Sequence, residues 1–307
     1  MVKIQISCYF GYTCLMRRPE KNLSLVHLIT YASDTYYGMA QILSLAAINL
    51  GFKSVRIYEP RDLDGEFRSQ NQDTLKLSRG AGYWLWKPKI IQMQLQKMEE
   101  GAILLYLDCG IMPQLSAENY ESLVTDNKIH LWASNESYLE WTEPKVIASF
   151  PPVDTSNNSL IYAGMLLSRN TPQFREFITK WLSYCQQPEL LRPETLPGYI
   201  KESSIKWHRH DQSLLNIIVR QNLKNFKIHG EQTEHLKHEK YFDIHRNLNV
   251  RSILLISLFP NLRSKRHKLV NLLPGNLRVV FRSRWAQRMK SNLDNFELSS
   301  ISKGFIK

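Results

Sequence analysis

Apolar and polar positions along the chain switch between short apolar runs and stretches with a helical period. Leu25-Val26-His27-Leu28-Ile29-Thr30-Tyr31 has strand length and ends in the small polar residues Ser33 and Asp34. Met39, Ile42, Leu43, Ala46, Ala47 and Leu50 then recur at three- and four-residue spacing, which predicts a helix with Gly51 placed to end it. Ser54 to Tyr58 predicts a second strand, closed by Pro60. Strand, helix and strand within about 30 residues predict a right-handed βαβ unit with parallel strands.

The same alternation continues. Residues 88–100 predict a helix with Pro88 in its first turn and Gly101 after its end. Ala102-Ile103-Leu104-Leu105-Tyr106-Leu107 is an almost unbroken apolar run, the pattern of a central strand buried on both faces, and Asp108 follows it. Residues 128–133 and 160–167 predict further strands, and 171–185 a helix carrying Phe174, Phe177, Ile178 and Trp181. The Pro-rich 186–206 stretch predicts loop, and Asp211 to Gln221 a last helix. The pattern is that of an α/β domain, a Rossmann-like, mostly parallel sheet flanked by helices. It divides the chain into an N-terminal extension (1–24), a main α/β domain (25–245) and a basic, helical C-terminal appendage (246–307).

Length and composition agree with one large domain: 307 residues, 43% of them hydrophobic, suffice for a sizeable core. Cys8, Cys14, Cys109 and Cys185 form no Cys-x-x-Cys pair, so neither a zinc site nor a disulfide framework is expected. With no signal-type N-terminus and no apolar run of spanning length, the expected location is cytosolic or peripheral to a membrane. The net charge of +12 changes the picture only through its placement. Residues 1–243 hold 27 basic and 26 acidic residues, whereas 244–293 hold 11 basic and no acidic ones. Basic residues interleaved with apolar clusters over 246–290 suit an anionic membrane surface. The same composition suits nucleic acid, but such a function leaves Lys87, Asp108 and the Asp211-Gln212 pair unused, and no nucleic acid is expected.

Three segments carry candidate chemistry. Asp108, in Asp108-Cys109-Gly110 at the end of the buried strand, lies on the edge where ligands bind in open α/β sheets. A carboxylate there can hold a divalent cation (Mn or Mg) against a diphosphate, because phosphate oxygens and water complete the shell. It equally suits a plain strand cap. Arg79-Gly80-Ala81-Gly82-Tyr83-Trp84-Leu85-Trp86-Lys87-Pro88 offers cations for phosphate, glycines for close backbone approach and aromatic rings for stacking or for packing a helix start. His208-Arg209-His210-Asp211-Gln212 sets ionisable and amide groups at a helix mouth, where Asp211 also suits an N-cap.

Taken in this order, the segments resemble a group of bacterial polysaccharide and lipopolysaccharide glycosyltransferases with a GT-A fold. Gly82-Tyr83-Trp84-Leu85-Trp86-Lys87-Pro88 and Tyr106-Leu107-Asp108-Cys109-Gly110 match that group's Gly-Tyr-Trp-x-Trp-Lys-Pro and Tyr-x-Asp-x-Gly. More distantly, Ala163-Gly164-Met165-Leu166-Leu167 and Asp211-Gln212-Ser213-Leu214-Leu215-Asn216 are similar to segments of the retaining galactosyltransferases and glycogenins. The resemblance implies transfer of a hexose from a UDP-sugar to a glycan or lipid-linked glycan, with retention favoured over inversion. It implies that Arg79, Gly82, Tyr83, Lys87, Asp108, Gly110 and Gly164 bind the donor, that Asp211 and Gln212 face the reacting centre, and that Asp108 holds metal. A late histidine, His229 ahead of His235, His238 and His245, would add a ligand. Two departures stand out: Asp-x-Gly replaces the usual Asp-x-Asp, and Tyr162 replaces an Asn. A catalytically inactive binding subunit that lost its second carboxylate is the alternative.

Overall fold

The computed structural model describes residues 24–154, 156 and 158–230, together with strands β1 (Val2–Ser7), β2 (Thr13–Arg18) and β10 (Phe242–Ile244). From the first described core strand onward the elements run β3 (Val26–Tyr31), α1 (Tyr37–Asn49), β4 (Ser54–Tyr58), α2 (Gly65–Gln70), α3 (Gln72–Leu75), the single turn α4 (Gly80–Tyr83), α5 (Trp86–Leu95), β5 (Ile103–Leu107) and β6 (Ile111–Pro113). They continue with α6 (Ala117–Leu123), β7 (Ile129–Ser137), α7 (Pro144–Ala148), β8 (Ser159–Arg169), α8 (Pro172–Cys185), α9 (Pro188–Leu191), α10 (Asp211–Gln221) and β9 (Phe226–His229).

Six strands form the central sheet in the order β4-β3-β5-β8-β7-β9. β3 runs parallel to β4 and β5, and β7 parallel to β9. β8 pairs antiparallel with both β5 and β7, so it alone runs against the other five. The expected α/β architecture, a mostly parallel sheet flanked by helices, is therefore present. Separately, β1 and β2 pair as an antiparallel hairpin, and β10 returns to pair antiparallel with β6 just beyond Asp108. The appendage at 246–307 lies outside the described residues.

Strand alternation divides the core in two. Val26, Leu28, Ile103, Leu105 and Leu107 join α1 and α6 on one face, where Met39, Leu43, Ala47 and Tyr120 pack. Ile29, Tyr31, Leu104 and Tyr106 join α5, α8 and α10 on the other. All five β5 residues are fully buried, as its apolar run predicts, and truncating one of its leucines to Ala should cost about 2–5 kcal/mol. α8 forms where Thr171 caps its N-terminus, accepting from the Phe174 N–H at 3.1 Å, and it buries Phe174, Phe177, Ile178, Trp181 and Cys185. α10 lies over β8, pinned by Asn216, whose Oδ1 accepts from Ile161 N–H and whose Nδ2 donates to Ile161 O, both at 2.9 Å.

Two expectations are corrected. α5 stops at Leu95 rather than near residue 100, because the Asn170 side chain takes the carbonyls of Leu95, Met98 and Glu99 at 2.9–3.2 Å. Gly101 still ends the segment in the left-handed region, at φ 81°. Within the 186–206 loop, Pro188–Leu191 form the short helix α9, with Leu190 and Leu191 buried.

Candidate functional site

Tyr106 faces the α5–α8–α10 side of the sheet, and the period-two alternation carries Asp108, two residues on, to the same side. There Lys87, in the first turn of α5, places its Nζ 3.3 Å from Asp108 Oδ1 and 2.9 Å from Asp211 Oδ2. Lys87 and Asp211 are 3% and 5% exposed at their side chains and Asp108 38%, so the cation is sealed in and one carboxylate opens to solvent. Tyr106 Oη donates to Asp108 Oδ1 at 2.5 Å, while among the described residues Oδ2 has no hydrogen-bond donor. Cys109 and Gly110 form the turn after the strand, closed by the Ile111 N–H donating to Asp108 O at 2.8 Å.

The ion group has a definite electrostatic character. Burial alone would depress the Lys87 ammonium, but Asp108 and then Asp211 outweigh it and hold its pKa above the ordinary value. Burial pushes the Asp211 carboxyl up to about 6 against the pull of Lys87. At neutral pH the three groups carry one positive and two negative charges, a net of −1.

Gly164 lies on β8 opposite Asp108, whose N–H donates to Gly164 O at 2.9 Å. A Cβ at Gly164 would stand 2.8 Å from Asp108 Oδ2 and 3.0 Å from Ile111 Cδ1, so this glycine makes room for the carboxylate itself. Gln212 Nε2 donates to Ile161 O at 2.9 Å, and the Trp181 indole donates to Asp211 O at 2.9 Å; both fix the start of α10.

The aromatic segment before Lys87 folds as a left-handed turn. Gly80, Ala81, Gly82, Tyr83 and Trp84 have φ values of 57°, 50°, 97°, 55° and 58°. The three non-glycine residues cost about 1–2 kcal/mol each there. Hydrogen bonds from Gly82 N to Leu77 O (2.9 Å), Tyr83 N to Arg79 O (2.7 Å) and Trp86 Nε1 to Gly80 O (2.9 Å) hold the turn. A Cβ at Gly82 would lie 2.8 Å from the Leu75 Cα, so this glycine serves packing against α3. Trp86 stacks on Tyr31 with centroids 3.7 Å apart, and Trp84 stacks on His210 at 5.8 Å, while Tyr83 meets the same imidazole edge-on at 4.7 Å.

His210 is itself strained, at φ 52° and ψ −120°. Its Nδ1 donates to Leu191 O at 2.9 Å, which leaves Nε2 to accept from Arg79 Nε at 3.0 Å. Burial pushes this imidazole down to about 3, and that of His208 down to about 4, so both are neutral. His208 Nε2 donates to Leu190 O at 3.0 Å and its Nδ1 accepts from the Glu143 N–H at 3.3 Å. The two histidines thus tie α9 to the mouth of α10.

The structure brings Lys87, Asp108, Gly164 and Asp211 together, with Gln212 alongside and Arg79 and Tyr83 one residue further out, around His210. It does not bring His229 to Asp108. His229 ends β9, with β8 and β7 between it and β5; its Nε2 is 3.0 Å from His130 Nδ1 and its ring stacks on Trp132. His235, His238 and His245 lie outside the described residues. Among the described residues, no group of three His, Cys, Asp or Glu side chains could hold a metal ion, and no helix is long and apolar enough to cross a membrane. Sequence reasoning gave no role to Tyr106 or Asn216, although both stand inside the matched segments.

No family model matches the sequence, and no curated protein matches it. Among solved structures, the chain is similar to a glycosyltransferase involved in glycosylation of the major capsid of PBCV-1, at 13% identity, with 74% of this chain and 96% of that one covered and a TM-score of 0.40. It is similar to the WbbM bifunctional glycosyltransferase at 10% identity and a TM-score of 0.39, covering 69% of this chain and 40% of that one. It is also similar to the galactosyltransferase LgtC at 17% identity and a TM-score of 0.35, covering 66% and 72%. At such values the site's own residues carry the functional reading.

Proposed function

We propose that the chain is a GT-A-type glycosyltransferase that moves a hexose from a nucleotide-diphosphate sugar, UDP-sugar favoured, to a hydroxyl of a glycan or lipid-linked glycan in cell-surface polysaccharide synthesis. One observation carries this reading: the Lys87 ammonium is sealed between Asp108 and Asp211 at the carboxyl edge of the sheet. A buried cation clamped by two carboxylates costs desolvation that stability alone does not require, and it fixes the one open carboxylate, Asp108, to a single orientation.

Asp108 supplies one carboxylate to a divalent cation, and the donor's phosphate oxygens and water would have to complete its shell. Tyr106 and Lys87 both engage Oδ1, and among the described residues Oδ2 has no donor. Such an ion, when bound, would neutralise charge on the departing diphosphate. The protein's own part is positional. Tyr106 and Lys87 orient Asp108, and Gly164 keeps space for it. Gln212 and Asn216 lock α10, and with it Asp211, against β8. Asp211 is buried and paired with Lys87, which makes it a poor base toward an acceptor hydroxyl, and this supports the retaining course over the inverting one.

Asp108→Ala tests the proposal. Donor hydrolysis and transfer, followed as released UDP, should be abolished while Tm stays within a few degrees of wild type, because Asp108 is partly exposed and Lys87 keeps Asp211. A fully active variant would remove the core of the reading. The basic stretch 246–290, outside the described residues, is proposed to hold the enzyme peripherally on an anionic membrane. Deleting 251–307 should then reduce liposome binding and preserve activity on a soluble acceptor.

A further inference from the structure

Two tryptophans beside the site are each flanked by two cations, and the contrast between them is informative. Trp141 has the Arg209 guanidinium 3.9 Å and the Lys206 ammonium 5.5 Å from its ring centroid. Both cations have a carboxylate: Lys206 pairs with Glu140 at 2.9 Å and Arg209 with Glu136 at 3.8 Å. That cluster is electrically complete.

Trp207 is different. Arg79 and Lys201 lie over its ring, 5.1 Å and 5.7 Å from the centroid, and the residue is 38% exposed. Among the described residues neither cation is within 4 Å of a carboxylate oxygen. Glu202, next to Lys201 in sequence, makes no ion pair with it. Glu194 feels the Arg79 charge but does not pair with it, and burial pushes the Glu194 carboxyl up, toward its neutral form. Arg79 also donates to His210, the residue before Asp211, which links the Trp207 cluster to the start of α10.

The exposed part of an indole packs against the C–H face of a sugar ring, and two cations over it that have no carboxylate partner among the described residues bind an anion. We infer that Trp207, Arg79 and Lys201 form an acceptor subsite for an acidic sugar, one whose ring packs against the exposed part of Trp207 and whose carboxylate meets Lys201 and Arg79. This rests on the glycosyltransferase reading for its role in transfer, but the binding itself does not.

The test uses the full chain without nucleotide sugar, titrated by calorimetry with tetragalacturonate and, separately, with the neutral maltotetraose. Tetragalacturonate should bind, more weakly as salt rises, and maltotetraose should not. Lys201→Glu, at an exposed position, and Trp207→Ala should each weaken binding about tenfold, the order expected for losing one charge-assisted contact or one stacked face. Equal binding of both oligosaccharides, or unchanged affinity in both variants, would overturn the inference. Displacement of tetragalacturonate by UDP alone would do the same, since it would assign these cations to the donor. If tetragalacturonate binds as expected while Asp108→Ala retains full turnover, the enzymatic proposal falls and the subsite stands.

Discussion

Replacing Lys87 by Met keeps the length of the side chain and removes its charge, which makes it the sharpest probe of the buried ion group. At 2.9 Å, and with an effective dielectric constant of about 20, the attraction between Lys87 and Asp211 is about 6 kcal/mol; the Asp108 contribution is smaller, because that carboxylate is partly in water. Much of this is offset by desolvation, and removing one partner of a buried pair typically costs about 3–5 kcal/mol. For a chain of this size that corresponds to roughly 10 °C in Tm. The sign with pH follows from Asp211. Its folded pKa, about 6, already lies above its ordinary value of 3.8, so it contributes stability that is fully present below 3.8 and lost as pH rises through 6. Without Lys87 the folded pKa rises further and the loss continues to higher pH. Calorimetric Tm differences between wild type and Lys87→Met should therefore be large at pH 8 and small at pH 5. Adding Asp211→Asn should recover more than half of the pH 8 loss, as coupled neighbours require. A penalty equal at both pH values, or no recovery in the double variant, would refute the idea that charge holds this centre.

Other outcomes follow from the same geometry. Gly164→Ala should displace Asp108 or Ile111, because its Cβ would stand 2.8 and 3.0 Å from their side chains, and reduce turnover about a hundredfold with little change in Tm. Asn216→Ala, which leaves the buried Ile161 N–H without its acceptor and Ile161 O with Gln212 alone, should cost about 2 kcal/mol, read by denaturant unfolding. Because transfer needs the Asp211 carboxylate to balance Lys87, kcat/KM should fall about tenfold per pH unit below pH 6; a flat profile from pH 7 to 5 would remove Asp211 from the active form.

The sheet was legible because its strands carry their burial in composition: β5 is apolar throughout, β8 nearly so, and both lie where the runs place them. The direction of Asp108 was legible too, since the alternation that buries Tyr106 under α5 also turns Asp108 toward Lys87. What the sequence lacked was the meeting of distant partners. Nothing local to α5 says that Asn170, from the end of β8, will cap it early, or that Leu75 will crowd Gly82. The glycines suggested a backbone open to ligand, and three of the non-glycine neighbours adopt the same left-handed conformation, so the turn is built for packing and for aiming α5. The histidines show the same dependence. His208 and His210, ionisable groups at a helix mouth in the sequence, become neutral struts through burial and the α9 carbonyls, and His229 lies against His130, with β8 and β7 between it and β5. Polar residues declare their chemistry in a sequence, but only the packing around them decides whether that chemistry faces a ligand. In this chain it leaves one carboxylate, that of Asp108, partly exposed at the edge of a group otherwise closed on itself.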